Sequence, residues 1–149
     1  MNREIKFRAW HKDLKKMFKI GQITLEKGIW NFEPNDRDFI GMSIPSQPSF
    51  VLMQYTGLHD KNGKEIYEGD IIEFSYDEFT GNFDTKVGRG TIEFIDGAFC
   101  IKPFEIEGKK IKDIDNEEWF LIYTVNIDTL KVIGNIYDNA DLLGGKWIC

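Results

Sequence analysis

Residues 50–74, FVLMQYTGLHDKNGKEIYEGDIIEF, decide the fold class, because their two turns can be worked out from charge and glycine placement. A two-residue hairpin closed by Asn62-Gly63 would face Lys61 with Lys64 and Asp60 with Glu65, two like-charge pairs that cost stability. A three-residue loop, with a type I turn over Asp60–Gly63 and Gly63 left-handed, instead sets Asp60 against Lys64 and Leu58 against Ile66. That second register is the expected one. Glu68-Gly69-Asp70 then makes another turn, after which Ile72, Phe74 and Tyr76 face one way and Glu73 and Ser75 the other.

Downstream, Asp77 to Gly90 mixes Gly, Asp, Asn and Thr and reads as a long mobile loop or a loose hairpin tip. Asp96-Gly97 is a two-residue hairpin signal, since a type I′ turn needs positive φ at both positions. Its register places Phe94 opposite Phe99 and Ile92 opposite Ile101 on one face, with Glu93 and a partly exposed Cys100 on the other. Lys102 to Glu118 is charged and weakly patterned, so a loop is expected, with at most one helical turn near Asp115 to Glu118. Trp119 to Ile127 and Val132 to Tyr137 read as strands. Asp138 or Asn139 then caps a short helical turn through Leu143, ended by Gly144-Gly145.

Upstream, EIKFRAW at residues 4–10 alternates, with Ile5, Phe7 and Ala9 on one face and Lys6 and Arg8 on the other, the period of a strand. A charged linker, HKDLKK, leads to apolar stretches at Met17 to Ile20, Ile23 to Leu25 and Ile29 to Phe32, which form a small meander turning at Lys27-Gly28. Pro34 to Pro48 is rich in turn formers and reads as a loop that divides two lobes.

A chain of 149 residues buries a core without disulfides or metals, and its twelve Phe, five Tyr and four Trp favour half-buried pleated surfaces. Residues 2–20 carry seven Lys or Arg against two acids, a net of +5, so the rest sums to −11 against the total of −6. An acidic body of that size repels phosphates and argues against general nucleic-acid binding outside the basic amino-terminal segment. No apolar run is long enough to span a membrane as a helix, MNREIKFRAW lacks a secretory core, and Cys100 and Cys149 form no CxxC pair. These features lead us to expect a cytoplasmic protein that does not engage the membrane.

Three blocks, FRAW at 7–10, QYTGLHDKNGKEIYEGDII at 54–72 and VIGNIYDNADLL at 132–143, resemble the YopX family of phage and prophage proteins. The blocks cover both ends and the centre of the chain in order. His11 departs from the pattern, standing where family members often carry an acidic residue. The resemblance implies a phage or prophage protein of mostly β structure. It supplies no catalytic residues.

Chemistry is thin. Two His and two Cys in separate segments lack zinc-ligand spacing, and the glycines match no phosphate loop. Glu65, Glu68 and Asp70 cluster as solvent-facing acids around a turn, a placement that turn chemistry explains better than catalysis does. The aromatic pairs Phe94 with Phe99 and Tyr55 with Tyr67 read as core. One cationic and aromatic constellation remains, Lys6, Arg8, Trp10 and Lys12, either a binding surface or a charged strand edge that discourages pairing. The apolar tail Trp147-Ile148-Cys149 either folds onto the body or serves self-association.

The expected fold is all-β: a small, strongly bent SH3-like barrel over 50–149, preceded by an N-terminal β extension and loop over 1–49, with a short C-terminal helical turn. The expected function is a non-enzymatic protein-interaction module with no catalytic, cofactor or metal site, whose partner is another protein or a second copy. The alternative is a nucleic-acid-binding module that uses the basic N-terminal strand.

Overall fold

The structure is a computed structural model that describes residues 4–35, 44–45, 49–111, 120–122 and 124–144. The β class is borne out: the described residues form twelve strands and two short 3-10 turns. The chain divides into two compact units, residues 1–57 and 58–149. The sequence placed that division at 49/50. The observed one falls later because β5 (Phe50–His59) is hydrogen-bonded along β1 (Phe7–His11), which draws most of β5 into the first unit.

In the first unit β2 (Lys16–Glu26) runs back along β1, and β3 (Ile29–Pro34) along β2, so the meander forms as expected. β4 (Ile44–Pro45) adds a short edge to β3 inside the stretch read as a loop; the remainder of that stretch after Asn35 lies outside the described residues. Two of the apolar stretches merge into the single long β2. Ala9, Phe18, Phe32 and Phe50 close one core, with Ile20 and Ile23 packed against it. Phe18 and Phe32 each meet Phe50 edge-on, at ring separations of 6.2 and 6.0 Å. Ile5 lies before the strand and is exposed, so the expected apolar face shortens to Phe7 and Ala9.

In the second unit, β7 (Asp70–Phe79), β8 (Phe83–Ile95) and β9 (Ala98–Ile106) form an antiparallel meander. β12 (Lys131–Asn135) pairs with β7 on its other side, while β10 (Lys109–Lys110) and β11 (Phe120–Leu121) both pair with β9. This sheet curls as a half-barrel, consistent with the strongly bent SH3-like expectation. Ile66, Ile72, Phe74, Ile92, Ile101, Ile122, Val125 and Leu130 fill its core.

Both worked turns are borne out. Asp60 N–H donates to Lys64 O at 2.8 Å and Gly63 N–H to Asp60 O at 2.9 Å, with Gly63 at φ +82°. Asp60 is itself buried, and its carboxylate holds the turn together. Oδ1 accepts from the N–H groups of Asn62 and Lys64, and Oδ2 accepts from Val132 N–H of β12 at 3.0 Å. Lys61 N–H donates to Leu130 O, so the turn is pinned both to β12 and to the residue just before it. Asp96 and Gly97 both have positive φ, and Phe94 faces Phe99 and Ile92 faces Ile101 as expected.

Three expectations are corrected. Of the two readings of Asp77 to Gly90, the hairpin tip is borne out and the long loop is not: β7 and β8 stay paired down to Phe79 and Phe83. Its polar composition reflects a hairpin that continues into solvent, where neither face needs apolar residues. Lys102 to Ile106 is strand, paired with β8 through a bulge that seats Pro103 opposite Gly90, where a missing N–H is tolerated. Conversely, among the described residues of the Trp119–Ile127 run only Phe120 and Leu121 form strand, and a 3-10 turn follows at Ile127–Thr129. Asn126 and Thr129 bond Ser75 of β7 there, a tertiary anchor that periodicity does not reveal. The expected helical turn near Asp115 lies outside the described residues, whereas the terminal one at Ala140–Leu143 is present, closed by Gly144 at φ +74°.

Gly90 lies close against β9. A Cβ there would lie 2.6 Å from Lys102 O and 2.7 Å from Ile101 Cγ2. Gly90→Ala is therefore expected to cost about 2 kcal/mol by overpacking, read as a lower urea midpoint at unchanged m-value.

Candidate functional site

The structure does not present the four residues singled out in the sequence as one exposed surface. Lys6 pairs with Glu4 at 2.9 Å, and its ammonium stands 5.4 Å from the Tyr55 ring centre. Trp10 is only 8% exposed, beside Met17 and Val51 across the ladder, so its ring is not presented to a base or any other ligand. Arg8 is half-buried on the same face, and Lys12 alone of the four is fully exposed. β1 is an interior strand, hydrogen-bonded to β2 on one edge and β5 on the other, rather than the edge it resembled.

What the surface does present at this end is the turn from Lys12 to Lys15. Lys12 N–H donates to Ser49 O, and Ser49 Oγ donates to Asp13 at 2.6 Å, which fixes the turn and engages its acid. Leu14 is 54% exposed at the tip, with Lys12, Lys15, Lys16 and Lys19 exposed around it. The Lys16 ammonium lies 4.9 Å from the Phe18 ring centre.

The acids of the central turn are structural. Asp70 is buried and accepts Tyr67 N–H at 2.8 Å, and Glu65 accepts the Tyr67 hydroxyl at 2.8 Å. The solvent-facing reading of this cluster is thus corrected for Asp70, whose carboxylate closes the turn from within. Tyr55 and Tyr67 are buried as expected, whereas Phe94 is half-exposed with its ring 5.0 Å from that of Phe99. Cys100, expected to be partly exposed, is 5% exposed. Burial pushes its thiol above the usual range, helped by Asp96 and Glu93, which leaves it a poor nucleophile. Among the described residues no three His, Cys, Asp or Glu side chains gather to hold a metal ion. No helix among them is long and apolar enough to cross a membrane.

A surface feature that sequence reasoning gave only as one of two alternatives, the loose hairpin tip, is the far end of the β7–β8 hairpin. β12 follows β7 only as far as Glu73, and β9 follows β8 only as far as Gly88, with Glu107 bonding Val87 beyond it. From Asp77 to Thr85 the hairpin is a bare two-stranded arm, to which no third strand pairs among the described residues. One face of its tip carries Phe79 and Phe83, 66% and 78% exposed, with rings 5.0 Å apart. Just below them, Thr85 Oγ1 donates to Asp77 at 2.8 Å. The other face sets Glu78 directly opposite Asp84, a like-charge pair that costs stability. The signal was present in the sequence: Ser75, Asp77 and Phe79 mirror Phe83, Thr85 and Val87 across Thr80-Gly81-Asn82.

Comparison with known proteins agrees with this architecture. The crystal structure of protein EF1440 from Enterococcus faecalis is similar at a TM-score of 0.54 and 26% identity, over 95% of this chain and 99% of that one. No curated protein matches. The family model described as YopX protein matches residues 6–144. With nearly its whole length matched, this chain belongs to the YopX family.

Proposed function

We propose that this chain is a non-enzymatic protein-interaction module, made by a phage or prophage and acting in the cytoplasm of the bacterial host. The observation that carries the reading is the arm tip. Two phenylalanine rings held out in water on a two-stranded ribbon bring the fold no core burial, whereas aromatic side chains are enriched at protein contacts. Isolated two-stranded ribbons are marginally stable, so a partner would also order this one.

The test is a photo-crosslinking residue in place of Thr80, compared in cells with and without Phe79→Ser and Phe83→Ser. A discrete adduct is expected and should vanish in the serine double variant. That variant should unfold within about 0.5 kcal/mol of the parent, since both side chains lie outside the core. An adduct unaffected by the serines, or a measurable turnover, would overturn the reading.

A nucleic-acid-binding reading draws on the exposed lysines Lys12, Lys15, Lys16 and Lys19, but the burial of Trp10 removes its stacking ring. Titration with labelled single- and double-stranded oligonucleotides is expected to give no saturable binding at low salt. Saturable binding that weakens with salt and with Lys12→Glu would favour this second reading.

A further inference from the structure

Asn62-Gly63 is the one Asn-Gly pair in the chain, and this dipeptide has a chemistry of its own. The backbone nitrogen of a glycine can attack the side-chain carbonyl carbon of the asparagine before it, because no side chain on the glycine obstructs the approach. In that step the Gly63 N–H loses its proton to hydroxide, the nitrogen bonds to Asn62 Cγ, and the Cγ–Nδ2 bond breaks with release of ammonia. Water then opens the five-membered imide at either carbonyl, leaving aspartate or isoaspartate. The net change is an amide plus water to a carboxylic acid plus ammonia.

Two features of the turn act on this reaction in opposite directions. Asn62 and Gly63 are both exposed, and the space where a Gly63 side chain would stand is open, so water reaches the pair. The attacking nitrogen, however, is engaged. Gly63 N–H donates to Asp60 O at 2.9 Å, while the Asp60 carboxylate accepts the N–H groups on either side of it, Asn62 at 2.8 Å and Lys64 at 2.9 Å. Val132 N–H fixes that carboxylate from β12. Attack requires the Gly63 nitrogen to give up its proton and the backbone at Asn62 to rotate, and both movements break these bonds.

We infer that Asn62 is a deamidation site held latent by the Asp60-closed turn, and that modification proceeds through local opening of this turn. The change is one-way. Isoaspartate adds a main-chain methylene to a loop whose length sets Asp60 against Lys64, so the modified turn does not restore its bonds, and either product places a new carboxylate close to Asp60.

The experiment incubates the full chain at mildly alkaline pH, in buffer and in guanidinium chloride, and follows Asn62 by peptide mass spectrometry with an isoaspartate assay. The folded parent is expected to react at least about tenfold more slowly than the unfolded chain, the protection given by a local opening equilibrium. Asp60→Ala in buffer should lose most of that protection, and Asp60→Asn, which keeps one acceptor oxygen, should fall between. Phe74→Ala removes more stability but leaves the bonds of the turn, so while folded it should react at the rate of the parent. A parent equally fast in both conditions would overturn the inference, as would Asp60 variants as slow as the parent. Phe74→Ala reacting as fast as Asp60→Ala would also overturn it, because unfolding of the whole unit would then be the gate. Should Asp60→Ala fail to fold, the comparison of Asp60→Asn with the parent decides, equal rates sinking the inference.

Discussion

Phe74→Ala is expected to lower the free energy of unfolding by about 4 kcal/mol, the range found for deleting a buried aromatic ring. Phe74 is 1% exposed and lies in the second core, stacked at 6.1 Å on Tyr76. Its ring also occupies the space that a side chain on Gly88 would take: a Cβ at that glycine would lie 2.8 Å from Phe74 Cζ and 2.7 Å from Ile106 Cδ1. Gly88 stands directly across the ladder from Phe74, so removing the ring leaves both a cavity and a bare stretch of β8 backbone. No neighbouring side chain on Gly88 exists to collapse into it. Loss of stability should appear in urea unfolding and in hydrogen exchange, with amides of β8 and β9 losing protection first. A change below about 1 kcal/mol would show that the sheet closes over the site.

Asp60→Ala is expected to cost about 3 kcal/mol. The carboxylate accepts three backbone N–H groups, from Asn62, Lys64 and Val132, and removing it leaves those donors without their acceptor. Asp60→Asn keeps one acceptor oxygen and should cost less. The effect carries a pH signature. Burial raises the Asp60 pKa, but the N–H groups of Val132, Lys64 and Asn62 and the Lys64 ammonium outweigh it, so the carboxyl sits below its ordinary value of 3.8. A depressed folded-state pKa contributes stability that is fully present above the unfolded value and is lost as pH falls through the folded one. The stability gap between parent and Asp60→Asn should therefore hold constant above about pH 5 and shrink below pH 4. A gap that widens on acidification would mean that the bonds to the carboxylate are not what holds the turn.

The candidate surfaces were legible to different degrees. Lysine density at residues 12–19 can be read directly, and Lys12 is exposed in the structure. Trp10 is buried where the sequence offered it as a surface ring, because a strand's own pattern does not say whether its second face is covered. The arm was legible only as one of two alternatives, a long loop or a loose hairpin tip. Its residues lack the apolar alternation that marks strands, because beyond Ser75 and Val87 there is no core for either face to meet.

The turns are what the sequence determined by itself. Asp60–Gly63, Asp96-Gly97 and the terminal turn closed by Gly144 follow from local rules, positive φ at glycine and charge across the ladder, and these act over a few residues whatever surrounds them. The β class follows for the same reason, from alternation and aromatic content. Tertiary structure alone decided which faces lie against another strand. It buried Trp10, Asp70 and Cys100, tied Asp60 to a β12 residue 72 positions away, and left Phe79 and Phe83 in water. Burial is a property of distant neighbours, and no local pattern encodes which strand arrives beside another.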